Sequence, residues 1–166
     1  MLKRGLVFLI LIASQHTFAQ TFCSTHEVRT EIIINAPIDS VWKMLISTEK
    51  YPDWNPYICE VKGKLKVGSF LKFTMKTQDG TIKKFSAKLL VLNKNETFAW
   101  GGSVLFLFKA KHYFLLNAID PTTTRLVQGE YWKGLFGKSY GKKVYQSACY
   151  NFNAMNEKMK DILEKQ

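Results

Sequence analysis

Few side chains of this sequence can do chemistry, and three of them are brought together by their spacing. His112, Gln128 and Glu130 lie in two β-patterned stretches, Leu105–Ala118 and Thr124–Lys133, on either side of the turn signal Asp120-Pro121. An antiparallel ladder about that turn sets His112 opposite Glu130, Phe114 opposite Gln128 and Leu116 opposite Leu126. Period-two alternation then puts His112, Gln128 and Glu130 on the apolar face. A carboxylate buried without a partner is costly, and a cross-strand imidazole relieves it. Three roles are open to such a pair: a satisfied structural contact that fixes strand register, a hydrogen-bonding site for the polar end of a ligand, or acid/base work on a carbonyl compound.

Other catalytic arrangements lack material. His16 falls in the N-terminal apolar segment and His26 near the start of the folded part, so His112 is the one histidine within its body. No multi-histidine metal site or Ser/His/Asp arrangement is expected, and no glycine-rich loop cradles a phosphate. No metal or cofactor is implied. Gly101-Gly102 reads as a bend or bulge between strands. Cys23, Cys59 and Cys149 are spaced for neither zinc nor redox chemistry; they allow one internal bridge and leave one thiol over, in any of three pairings.

The elements that must position these groups begin after the first 19 residues. Lys3 and Arg4, the apolar run Leu6–Ala13 and the small residues of Thr17-Phe18-Ala19 form a signal peptide in the right order, with cleavage expected after Ala19 and a periplasmic or secreted product. The run is too short to span a bilayer, which takes about 20 residues. The rest, residues 20–166, is expected to form a single domain. The chain holds 24 Lys and Arg against 13 Asp and Glu. Without Lys3 and Arg4 the balance is 22 against 13, a net charge of +9. The lysines are scattered singly or in pairs, which argues for a solvated basic surface and against nucleic acid. Transient contact with an anionic membrane is compatible with it, and no obligate protein partner is indicated.

The pattern predicts an α+β protein. Glu27–Asn35 is a strand, and Pro37 opens a short helix with Val41, Trp42, Leu45 and Ile46 on one face. Ser47–Pro56 is loop. Strands follow over Ile58–Leu65, Ser69–Thr77, Thr81–Leu92, Thr97–Gly101, Leu105–Ala118 and Thr124–Lys133, about seven in all. From Ser139 to Lys165 the period changes, and Val144, Ala148, Phe152, Met155, Met159 and Ile162 mark one long amphipathic helix. Strand parity turns Leu71, Phe73 and Met75 inward, with Phe85, Ala87, Leu89 and Val91, then Phe98 and Trp100, then Phe114 and Leu116. Periodicity alone is equally met by a solid core filled with these aromatics.

Four segments carry a resemblance. They are Ala36-Pro37 followed by Val41-Trp42, the Tyr51-Pro52-Asp53-Trp54-Asn55-Pro56 loop, His112-Tyr113-Phe114-x-Leu116, and Thr124-Arg125-Leu126 leading to Glu130-x-Trp132-x-Gly134-Leu135. In this order, over about residues 28–165, they resemble the polyketide cyclase/dehydrase and lipid-transport proteins of the START-like (SRPBCC) superfamily. The resemblance implies a helix-grip fold, a curved antiparallel sheet wrapped around a long C-terminal helix with a deep hydrophobic cavity between. Members of the superfamily include lipid carriers, hormone receptors, aromatic cyclases and chaperone activators, so no single activity is implied.

The expected ligand contacts are Phe73, Met75, Phe85, Trp100 and Phe114 from the sheet, with His112, Gln128 and Glu130 as the polar group. Phe152 and Met155 come from the helix, and Trp54 from a loop that in the family lies near the cavity mouth. The first reading is an exported carrier of a small hydrophobic ligand, a lipid or an aromatic, polyketide-like compound. The alternatives are a cyclase or dehydratase using His112 and Glu130, or a basic module for acidic partners or anionic lipid.

Overall fold

The computed structural model describes residues 20–165; the signal-peptide reading and its cleavage site lie outside the described residues. The strands are β1 (Gln20–Cys23), β2 (Glu27–Ile34), β3 (Ile58–Lys62), β4 (Phe70–Lys76), β5 (Ile82–Asn93), β6 (Thr97–Val104), β7 (Phe108–Asp120) and β8 (Thr123–Lys133). They form one curved, wholly antiparallel sheet in the order β1-β2-β8-β7-β6-β5-β4-β3. Three helices complete the chain: α1 (Ile38–Ile46), α2 (Tyr51–Trp54) and the long α3 (Gly137–Leu163). The pairing of β2 with β8 brings the two ends of the sheet's sequence together, so the connection through α1 and α2 crosses from the β2 side to the far edge at β3.

Alternation builds the core as expected. Val28, Thr30, Ile32 and Ile34 of β2 turn inward beside Gln128, Leu126 and Thr124 of β8, and α3 lays Phe152, Met155 and Met159 onto this face. Trp42 and Leu45 of α1 close one end. At the other, α3 crosses the β1–β2 turn so closely that a methyl group on Gly141 would overlap the carbonyl oxygen of Thr25, which is why glycine stands there.

The structure departs from the sequence pattern at four places, the first being the expected loop Ser47–Pro56, which holds a 3-10 turn (Thr48–Lys50) and the one-turn helix α2. The sheet has eight strands rather than seven: Gln20–Cys23 is a short, mostly exposed edge strand with no burial periodicity to betray it. It is tied to α3 by the Cys23–Cys149 disulfide, and Cys59 is the free thiol. In β5 a bulge between Leu89 and Val91 resets the parity. Val91 therefore pairs with Ala99 and leaves the inner face, where Leu92 takes its place opposite Phe98. Finally, β6 runs straight through Gly101-Gly102 to Val104, and Leu105–Leu107 is the turn, not the start of β7. That apolar turn contains no glycine or asparagine; Leu105 itself adopts the left-handed conformation, with φ 45°.

On the outer face Glu31 lies between Arg125 and Arg29; Arg125 Nη2 donates to it at 2.8 Å and Arg29 Nη2 at 3.1 Å. The Arg125 hydrogen bond is the largest of the effects holding the Glu31 carboxyl below its usual range. A carboxylate whose pKa falls on folding stabilises above its unfolded pKa, and that contribution disappears as pH falls through the lower, folded value. Stability of the wild type should therefore drop below about pH 4.5 by roughly 0.5–1 kcal/mol more than that of Glu31→Gln. Urea midpoints for both proteins across pH 3–7 measure this, and parallel curves would rule out a contribution from the triad.

Candidate functional site

The β7–β8 ladder has the register expected from its turn, with His112 opposite Glu130 and Phe114 opposite Gln128. The His112 ring is clamped by its neighbours. It lies parallel to Trp100 with centroids 4.4 Å apart, meets Phe152 edge-on at 4.8 Å and leans on Phe114 at 5.0 Å. Beneath it Gln128 is fully buried; its Nε2 donates to the Tyr57 hydroxyl at 3.1 Å and faces His112 Nε2 at 3.3 Å. Burial pushes the Tyr57 phenol well above its ordinary pKa, so it stays neutral. His112 Nδ1 faces Glu130 Oε2 at 3.7 Å, too far for a direct hydrogen bond. The His112 and Glu130 side chains are 7% and 24% exposed, so the carboxylate reaches the open side while the imidazole forms the wall.

These groups stand on the wall of a cavity of about 560 Å³ between the sheet and the N-terminal half of α3. Its size and mostly apolar lining are those of a small-molecule site. The void has a cause in residue size. Ala87, Gly102 and Ala110 of the sheet lie across from Ala148 and Val144 of α3, and no large side chain fills the space. Towards the C-terminal half of the helix, Met155, Met159 and Leu163 fill the corresponding space as ordinary core.

Of the expected contacts, Met75, Phe85, Trp100, His112, Glu130 and Phe152 line this cavity together. The other five do not. Phe73 is buried behind the wall, stacked on Phe85 at 4.8 Å. Phe114 packs between Phe98 and Trp100. Gln128 supports His112 from below, and Met155 receives the Asn55 amide on its sulfur at 3.3 Å. Trp54 packs edge-on against Tyr51, and Asn55 Oδ1 accepts from the backbone N–H groups of Tyr57 and Ile58. Parity identifies which residues turn inward; which of them stop at the wall depends on where α3 lies.

Parity also misses lining residues outside the strands it ranked. Tyr57, Tyr140 and Asn151 line the cavity, as do Phe108 and Trp132. Trp132 was within reach, two residues beyond Glu130 and so on the same face. Tyr140 and Asn151 share the helical stripe of Val144 and Ala148, which the polar character of Asn151 disguises.

No family model and no curated protein matches the chain. Solved structures do. A protein from Mycobacterium smegmatis superposes with a TM-score of 0.69 at 13% identity, over 90% of this chain and 98% of its own. A Nitrosomonas europaea protein gives 0.68 at 13%, over 87% and 97%. The di-domain ARO/CYC protein BexL of the BE-7585A biosynthetic pathway gives 0.62 at 13% identity, over 85% of this chain and 51% of its own length. This is a helix-grip fold. The helix grip explains the layout just described: α3 lies in the concave sheet, and its small-residue half leaves the space that its methionine-rich half closes.

Proposed function

We propose that the protein is an exported, non-enzymatic carrier of a small hydrophobic ligand with one polar end. The observation that carries this reading is the cavity itself, about 560 Å³ of apolar-walled space where alternation and aromatic content would equally build a filled core. Its polar group suits recognition. At 3.7 Å, His112 Nδ1 and Glu130 Oε2 are not hydrogen-bonded directly to each other. A ligand hydroxyl between them hydrogen-bonds both the imidazole and the carboxylate, while the ligand's apolar body lies along Trp100, Phe85 and Phe152. Export is supported by the basic, apolar and small-residue order of the N-terminus and by the disulfide, a bond that persists in oxidising compartments.

A second reading, a cyclase- or dehydratase-type enzyme, is favoured by the same His–Glu adjacency and by the likeness to BexL. Against it, the His112 ring is stacked on Trp100 and its Nε2 is engaged by Gln128 on the buried side, which suits a fixed binding wall better than a group that must exchange protons with a substrate.

The test is native mass spectrometry of residues 20–166 purified from their own compartment without delipidation, followed by titration with the apolar fluorophore N-phenyl-1-naphthylamine. A stoichiometric apolar adduct, or saturable probe uptake, is the expected result. A clean apo mass with no uptake of the probe would overturn the carrier reading. Turnover of an extracted ligand, abolished by Glu130→Gln in a folded protein, would replace it by the enzyme.

A further inference from the structure

The three most exposed large apolar side chains among the described residues, Leu105, Phe106 and Leu135, play no part in the cavity's walls. At the tip of the β6–β7 hairpin Leu105 is 83% and Phe106 76% exposed; on the segment entering α3, Leu135 is 68% and Phe136 54% exposed. The two segments are one unit. The N–H groups of Leu135 and Phe136 donate to the carbonyls of Phe106 and Leu107 at 3.2 and 2.9 Å. Gly134, at φ +91°, makes this approach feasible, since a Cβ there would lie 2.7 Å from the Phe106 carbonyl oxygen. Four large apolar side chains are thus held outward by backbone pairing, in a prominence of the kind soluble monomers usually avoid.

Its surroundings are basic. Lys109 and Lys133 face each other across the strands at the foot of the tip, and Lys138, Lys142 and Lys143 follow on α3. Cations in the first turns of a helix oppose its dipole, and the first turn of α3 has no acidic residue, so these lysines are not there for helix stability. Among the described residues the lysine ion pairs lie elsewhere, at Lys62, Lys94 and Lys160. Between Thr97 and Asn156 the carboxylates are Asp120, at the opposite end of the β7–β8 ladder, and Glu130, which faces His112. On the neighbouring strand Glu27 accepts from the Tyr113 hydroxyl.

We infer that this tip is a docking site for the surface of an anionic lipid bilayer, with Leu105, Phe106, Leu135 and Phe136 entering the headgroup boundary and the lysines meeting lipid phosphates. The chemistry is that of interfacial binding, apolar insertion added to attraction by anionic headgroups. Charge decides against a second copy of the chain, because a self-complementary contact would set these unpaired lysines against their own images. The tip also adjoins the cavity: Gly102, Phe108 and Tyr140, which flank it, line the cavity. Docking therefore turns that end of the cavity towards the membrane. The inference goes beyond the carrier reading and does not need it, since docking is measured without any ligand.

The experiment is flotation of the protein, residues 20–166, with vesicles containing phosphatidylglycerol or with vesicles of phosphatidylcholine alone, at low and high salt. The wild type should float with the anionic vesicles, much less with the neutral ones, and less as salt rises. The double variant Leu105→Ser/Phe106→Ser should lose at least about tenfold in partition while keeping the wild-type melting temperature and probe uptake. Lys109→Glu/Lys138→Glu should lose the preference for anionic lipid. Failure of the wild type to float, or equal flotation of the tip variant, would overturn the docking site. So would a wild-type dimer in sedimentation that the tip variant converts to monomer, which would make the patch a self-association surface.

Discussion

Reducing the Cys23–Cys149 bridge, or replacing Cys149 by serine, is expected to lower the melting temperature by roughly 10–20 °C. The bridge joins residues 126 apart in sequence, and in the chain-entropy account closing so long a loop in the unfolded state is worth roughly 4–5 kcal/mol. For a domain of this size each kcal/mol shifts the midpoint by about 2–4 °C. The location adds to the effect. β1 is an edge strand of four residues that pairs on one side only, and the disulfide holds it to the middle of α3. Without it, β1 and the turn at Thr25 over which Gly141 passes should be the first parts to open. Thermal melts with and without a thiol reductant provide the test, with Cys59→Ser as the control, since Cys59 is unbridged. A midpoint that ignores the reductant would mean the bridge constrains nothing that the sheet does not already hold.

The second large effect concerns the cavity. Ala148→Trp should abolish uptake of N-phenyl-1-naphthylamine, with at least about a tenfold loss in affinity, while the melting temperature stays within a few degrees of wild type or rises. Ala148 projects from α3 into the void, and its methyl group is one reason the space exists. An indole there takes up part of the 560 Å³ and narrows the gap between α3 and the sheet, gaining contacts with the lining that the wild-type methyl lacks. In a filled core the same substitution would overpack, and overpacking typically costs 1–3 kcal/mol. The two measurements therefore separate the cases: lost uptake at unchanged stability supports the carrier, and a marked fall in midpoint would mean that the space is not available to a ligand.

Much of this architecture is legible in the residues before any coordinates. Alternation over Glu27–Asn35 and Thr124–Lys133, the helical spacing from Val144 to Ile162, and the Asp120-Pro121 turn are local signals, and local signals survive translation into a fold because each rests on the chain's own geometry. The His112–Glu130 register belongs with them, since a tight turn counts its own partners. Gly101-Gly102 misled for the opposite reason. Glycine marks turns because it can adopt positive φ, yet here the strand continues through both residues and a leucine takes the left-handed position three residues later.

By itself, then, the sequence determined the order of the main strands and of the long helix, the inward face of most strands and the register that sets an imidazole opposite a carboxylate on an apolar wall. Tertiary structure alone decided three things: which cysteines pair, where the inward side chains stop short of α3, and which apolar residues are left facing water. Each depends on the distance between elements far apart in the chain. Cys149 finds Cys23 because α3 crosses the β1–β2 turn. The cavity opens because Ala87, Gly102, Ala110 and Ala148, small residues from four separate elements, come to line one space. Leu105 and Phe106 are exposed at a hairpin tip whose backbone pairs with the segment entering α3. Side-chain period is a property of one element, whereas voids, bridges and exposed patches are differences between several, and no single stretch of sequence contains them.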